Sequence, residues 1–173
     1  MALKKVLTIA GSDTSAGAGM QADLKTFQEL DVYGMVALTS IVTMDKETWS
    51  HDVTPIDMNV FEKQLETAIS IGPDAIKTGM LGTQDIIKRA GDVFVESGAD
   101  YFVVDPVMVC KGEDEVLNPG NTEAMIQYLL PKATVVTPNL FEAGQLSGLG
   151  KLTSIEDMKK AAQVIYDKGT PHV

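Results

Sequence analysis

The sequence predicts an α/β fold: a three-layer sandwich in which helices cover both faces of a mostly parallel sheet. Three observations predict it. Short β-branched runs alternate with longer amphipathic stretches along the 173 residues, and such alternation reads as crossover units that return their strands parallel. No repeat, low-complexity tract or interdomain linker interrupts the pattern, so one domain over 1–173 is expected. A domain of this length buries roughly two-thirds of its unfolded surface. Finally, polar residues gather where the apolar runs stop, which is where open α/β sheets bind ligands.

In chain order, strands are predicted at 6–10, 35–42, 75–77, 101–105 and 134–137, and helices at 20–30, 59–70, 84–96, 122–130, 138–146 and 155–168. The first strand, VLTIA, runs into a loop crowded with Gly and Ser that opens the first helix. The second belongs to the longest uncharged stretch, 32–44, which Gly34 and polar Thr and Ser residues break up. The fourth ends on Asp105, which Pro106 restricts to an extended backbone at the sheet rim. After the fifth, Thr137 suits an N-cap and Pro138 a first helical residue. The last helix is the best punctuated: Thr153 and Glu156 form a candidate capping box, and Ile155, Met158, Ala162 and Ile165 share one stripe. Gly169 then suits the C-terminal cap and Pro171 forbids continuation. Only His172 and Val173 come after it, so the chain is expected to stop within its next strand, with the C-terminal part of the fold missing.

Bulk properties narrow the function. A net charge of −10, with 14 basic residues spread along the chain, offers no basic patch for nucleic acid and argues against anionic membranes. It leaves room for a small phosphorylated ligand whose charge Mg²⁺ offsets. No apolar run approaches the ~20 residues that span a bilayer, and residues 6–10 are too short for a secretory core. The single cysteine, Cys110, excludes an internal disulfide framework and agrees with a cytoplasmic setting. With nothing nearby to activate its thiol, it reads as packing.

The opening loop contains Gly17-x-Gly19-x-x-Ala22, the dinucleotide fingerprint in its G-x-G-x-x-A form. Two features weaken that reading. Residues 12–16 separate Gly11, just past the strand, from Gly17, whereas a pyrophosphate site needs its first glycine almost on the strand end. Asp13 and Asp23 flank the loop, and carboxylates beside a pyrophosphate repel it unless a metal intervenes. Backbone N–H groups, hydroxyls and a carboxylate suit a small polar heterocycle better; an ordinary flexible connection remains the alternative. Asp105 reads either as a plain strand terminus or as an acid aimed at a magnesium–phosphate cluster. Asn139 and Glu142 stand three residues apart, adjacent on one helical face. They either cap the helix or organise hydrated Mg²⁺ and its phosphate, a cation that uses few protein carboxylates. Three polar strand ends on one sheet edge favour a site. The turn 111–114, Lys-Gly-Glu-Asp, reads as a solvated loop or as a lid over a phosphoryl donor.

Taken together, 10-AGSDTSAGAGMQADLKTF-27, 77-KTGML-81, 103-VVDPVM-108 and 136-VTPNLFEA-143 resemble the hydroxymethylpyrimidine/phosphomethylpyrimidine kinase family and the related pyridoxal kinases, within the ribokinase-like superfamily. The resemblance covers essentially the whole chain. It implies ATP-dependent phosphorylation of a hydroxymethyl group on a pyrimidine or pyridine ring, in a homodimer. Gly11, Asp23, Met44, His51, Met80 and Val107 are then substrate-binding candidates. Asn139, Glu142 and Lys111 would bind ATP phosphates, and Asp105 and Glu142 the Mg²⁺. Pyrimidine kinases carry a Gln in the segment corresponding to 40-SIVTMDKET-48, where this chain has Met44. An amide exchanges hydrogen bonds with pyrimidine nitrogens; a thioether offers a soft apolar surface that suits a methyl-pyridine ring. This favours pyridoxal or pyridoxine, with hydroxymethylpyrimidine, a dual enzyme or a non-catalytic binding module as alternatives. His51, expected in the loop after Trp49, would contact the vitamer's ring hydroxyl or lid the pocket. The acid/base residue is expected beyond Val173.

Overall fold

The computed structural model describes residues 3–108 and 119–173. The elements run β1 (Lys5–Ala10), α1 (Gly19–Glu29), β2 (Tyr33–Leu38), β3 (Ser40–Met44), β4 (His51–Pro55), α2 (Met58–Ile71), β5 (Ala75–Thr78), α3 (Gln84–Ser97), β6 (Tyr101–Val104), α4 (Pro119–Tyr128), β7 (Val135–Val136), α5 (Leu140–Ser147) and α6 (Ile155–Asp167). Five strands form one sheet in the order β2-β1-β5-β6-β7, and every pairing in it is parallel. The α/β class and its mostly parallel sheet are therefore as expected from the alternation.

Burial explains why the central strands read as continuous apolar runs. Leu7, Ile9 and Ala10 of β1 have no exposed surface, and neither does the intervening Thr8, as a parallel strand covered on both faces requires. The core joins Leu7 and Ile9 to Phe61 and Leu65 of α2, Ile87 of α3, and Phe102 and Val104 of β6. Phe94 stacks on Phe102 with ring centroids 4.8 Å apart. Truncating a ring buried as fully as that of Phe102 costs about 3–5 kcal/mol.

Three expectations need correction. The strand expected over 35–42 is two. At Thr39 the chain leaves the sheet: its N–H donates to the Ala10 carbonyl (3.0 Å), its hydroxyl to the Met80 carbonyl (2.6 Å), and its own carbonyl accepts from Ile56 N–H (2.9 Å). Beyond Thr39, β3 and β4 form a separate antiparallel hairpin in which Met44 pairs with His51. His51 thus begins a strand rather than sitting in a loop. β4, HDVTP, is polar and half exposed, so no apolar alternation announced it.

The other corrections are caps. Helix α5 begins at Leu140, with Asn139 as N-cap in place of Thr137 and Pro138 outside the helix. Helix α6 is capped by Ser154, whose hydroxyl accepts from Asp157 N–H (3.1 Å), while Asp157 reaches back to Thr153. The expected Thr153/Glu156 box is therefore absent: the cap is one residue later, and the returning bonds to Asp157 come from Thr153 rather than from the cap residue. Gly169 takes a φ of +113° just past that helix. His172 makes an isolated parallel bridge to Val135, its carbonyl accepting from Val136 N–H (3.0 Å).

Candidate active site

Because β1, β5, β6 and β7 are parallel neighbours, their C-terminal ends lie side by side. The segments beginning at Gly11, Gly79, Asp105 and Thr137 therefore share one sheet edge. A cavity of about 1070 Å³ opens there.

At the first strand end, any side chain at 11 would displace its neighbours. A Cβ there would stand 2.7 Å from Ser40 Oγ and 2.9 Å from Met80 Cε. The Gly11 carbonyl accepts from Met20 N–H (2.9 Å) at the start of α1. The loop after it is organised by its own acid. The Asp13 carboxylate accepts from Ser15 N–H (2.9 Å), Gly17 N–H (3.1 Å), Ala18 N–H (2.8 Å) and the Ser15 hydroxyl (2.8 Å). Burial works against that charge, but the Ser15, Ala18 and Gly17 hydrogen bonds outweigh it and hold the carboxyl below the usual range. The amides that a pyrophosphate would need are already taken by Asp13, which removes the physical basis of the dinucleotide reading.

The loop is stitched to the β3–β4 hairpin. Ser12 N–H donates to the Ser40 carbonyl (2.9 Å), Val42 N–H to Ser12 Oγ (3.2 Å), and the Thr14 hydroxyl to the Val42 carbonyl (2.9 Å). Val42, Met44, Trp49 and His51 consequently form one wall of the cavity. Burial along β3 alternates, with Ser40 and Val42 inward and Ile41 and Thr43 outward.

The floor carries a residue for which sequence reasoning named no role. Lys77 Nζ lies 3.0 Å from both carboxylate oxygens of Asp23 and 3.7 Å from Asp105 Oδ2. Asp23 also accepts from the Thr8 hydroxyl (2.6 Å). Lys77 lines the cavity; Asp23 does not, and stands behind it. The available signal was a lysine in the half-buried four-residue strand AIKT, where an unpaired ammonium would be costly.

The far wall is acidic. Asp105 is pushed above the usual carboxylate range by burial, with Lys77 opposing and Asp23 adding to the rise. Glu142, only 4% exposed, is also raised, chiefly by burial and further by Asp105, against stabilising hydrogen bonds from the Asn139 and Met108 amides. Asn139 and Glu142 form a reciprocal capping box: Asn139 Oδ1 accepts from Glu142 N–H (2.9 Å), and Glu142 Oε2 from Asn139 N–H (2.9 Å). The helix-capping alternative is thus realised, yet both side chains also line the cavity.

Gly11, Met44, His51, Met80, Val107, Asp105, Asn139 and Glu142 all border this one cavity. Lys111, Cys110 and the turn 111–114 lie outside the described residues. Among the described residues no group of three or more His, Cys, Asp or Glu could cage a metal. Two acids held above their usual range do fit a cation such as Mg²⁺, which needs one or two carboxylates and keeps water and phosphate as its other ligands. No helix among the described residues is long and apolar enough to cross a membrane.

Comparison with known proteins identifies the family. The phosphomethylpyrimidine kinase family model matches residues 13–173. A putative pyridoxine kinase of Staphylococcus epidermidis is 99% identical over the whole chain, which spans 63% of that protein. The pyridoxine kinase of Bacillus subtilis is 54% identical, with 100% of this chain and 65% of that protein covered. Among solved structures, the pyridoxal kinase from Staphylococcus aureus in complex with AMP-PCP and pyridoxal superposes with a TM-score of 0.93 at 83% identity, over 98% of this chain and 61% of that one. The chain therefore spans a little under two-thirds of the length of these relatives, and it belongs to the phosphomethylpyrimidine kinase family.

Proposed function

We propose that this chain forms the ring pocket and the metal–phosphate rim of a kinase that transfers the γ-phosphoryl group of ATP to the hydroxymethyl group of pyridoxal or pyridoxine. One observation carries the reading: a single cavity joins an apolar wall bearing Met44 to an acidic rim bearing Asp105 and Glu142, with Lys77 between them. The pyridoxine kinase relatives and the pyridoxal and AMP-PCP complex of the Staphylococcus aureus structure support it.

Each residue has a role that its geometry permits. Gly11, Met44, Met80 and Val107 shape the ring pocket, His51 offers a polar contact opposite Met44, and Asp23 orients Lys77 from behind. Asp105 and Glu142 would hold Mg²⁺, and Asn139 fixes Glu142 through the capping box. When bound, the ion supplies charge neutralisation across the phosphates. Lys77 places a fixed ammonium between the ring end and that rim, so charge on a transferring group is met without reorganisation. Phosphoryl transfer is mostly positioning and charge stabilisation, and this division suits it. The acid/base residue, the phosphate contact of Lys111 and a cytoplasmic homodimer belong to the same proposal.

The test is ADP release by the full-length protein with Mg²⁺ and ATP. Turnover of pyridoxal or pyridoxine is expected; turnover of hydroxymethylpyrimidine alone would transfer the chain to the pyrimidine branch. Ligand binding without any turnover would leave a binding module.

A further inference from the structure

Trp49, the only tryptophan of the chain, sits at the tip of the β3–β4 hairpin. Its side chain lines the cavity although the residue is 65% exposed. Its φ is +60°. Among the described residues only Ala16 and Asp31 share a positive φ without being glycine. Aspartate tolerates that region and alanine is small; for a bulky aromatic it is a genuine outlier, which persists only where the surroundings enforce it.

The surroundings are chiefly one acid, helped by Thr48, whose hydroxyl accepts from Ser50 N–H (3.3 Å). Asp45 accepts through its carbonyl from Trp49 N–H (2.9 Å) and donates its own N–H to the Ser50 carbonyl (3.0 Å). Its carboxylate accepts from Glu47 N–H (2.9 Å), Thr48 N–H (2.8 Å) and the Thr48 hydroxyl (3.0 Å). Glycine or asparagine would meet the same turn without strain. The turn therefore holds an indole where the backbone alone would not choose one, at the mouth of the cavity.

Sheet order says which end of the cavity that is. The hairpin comes after edge strand β2 and is stitched to the loop after β1, whereas Asp105 and Glu142 come after β6 and β7 on the other side of β5. We infer that Trp49 is a specificity-determining lid, whose indole closes over the flat heteroaromatic ring of the substrate opposite the Gly11–Met80 floor. Indole and heteroaromatic rings stack with offset faces, and Trp49, exposed and stacked on no ring among the described residues, is free to do so. The inference rests on the kinase reading, but not on which ring the enzyme prefers.

The experiment uses the full-length protein and whichever heteroaromatic alcohol it phosphorylates, so a pyrimidine result would correct the proposed function and still test Trp49. Trp49→Ala is expected to raise KM for the ring substrate about tenfold or more, the scale of ring–aromatic stacking, with kcat and the KM for ATP held within about threefold. Trp49→Phe should recover most of the loss. The indole emission absent from Trp49→Phe should change when the ring substrate is added without ATP. Trp49→Gly separates function from structure: a lid held under strain predicts a Tm no lower than that of the wild type together with the raised KM. An unchanged ring KM, a rise confined to ATP, a Phe variant as impaired as Ala, or a Tm that falls in Trp49→Gly would each overturn the inference.

Discussion

The two ends of the cavity are built on opposite electrostatic principles. The end proposed to take the ring, formed by the opening loop and the hairpin, satisfies itself: Asp13 and Asp45 each direct their charge at neighbouring amides and hydroxyls and are held below the usual carboxylate range. The end proposed to take the phosphates does the reverse. Asp105 and Glu142 are desolvated and raised, with Lys77 as the nearby cation for Asp105. A region whose polar groups already pair internally presents a finished shape to an uncharged ring. A region with excess desolvated negative charge is completed by a cation, which is what a metal–nucleotide brings.

That contrast is broken most sharply at Glu142. Glutamine preserves the capping box, because its amide oxygen can accept from Asn139 N–H as the carboxylate does. Glu142→Gln should lower turnover by about a hundredfold or more, while Tm in thermal melts stays level or rises. A variant that loses stability and activity together would place Glu142 in the fold alone. The pH dependence has a definite sign. A raised folded-state pKa means the native protein keeps protons that the unfolded chain has released. The stability carried by Glu142 is therefore fully present below its unfolded value and is lost as pH rises through the folded one. The Tm advantage of Glu142→Gln should accordingly grow as pH rises above the unfolded glutamate value of about 4.3. Denaturation series at successive pH values measure it.

Lys77 comes next. Its ammonium and Asp23 are each less than a third exposed, at 21% and 17% of the side chain. Lys77→Met would leave Asp23 buried without its cation, costing about 2–4 kcal/mol. Adding Asp23→Asn should recover more than half of that in urea unfolding, since the uncompensated charge is then gone. Additive losses would mean that the ion pair is incidental.

The smaller effects belong to the ring end. Met44→Gln should shift the ratio of kcat/KM values toward hydroxymethylpyrimidine by about tenfold, with little change in stability. An unchanged ratio would remove Met44 as the discriminator. Asp13→Asn keeps one acceptor oxygen for four donors and should cost about 1 kcal/mol of stability. A larger rise in ring-substrate KM than in the KM for ATP would locate its effect in the loop.

The same contrast explains how much could be read from the sequence. The parallel strands and amphipathic helices arise from burial on both faces and on one face respectively, so periodicity revealed them. The acids at strand ends were equally visible, because Asp105 and the Asn139/Glu142 pair stand beside apolar runs. The hairpin was hidden: β4 carries little apolar patterning, and the break at Thr39 depends on hydrogen bonds to Ala10, Ile56 and Met80 from three other parts of the chain. Lys77 and Trp49 acquire meaning only from tertiary neighbours, Asp23 and Asp105 for one and the cavity mouth for the other. Local chemistry announced the phosphate end, while long-range stitching made the ring end.

Calorimetric titration of wild-type and Glu142→Gln full-length protein, with pyridoxal alone and with Mg²⁺–ATP alone, tests the division most directly. The account predicts that Glu142→Gln binds pyridoxal within about twofold of the wild type and loses Mg²⁺–ATP affinity by about thirtyfold or more. Parallel loss of both affinities, or an unchanged Mg²⁺–ATP affinity, would contradict it.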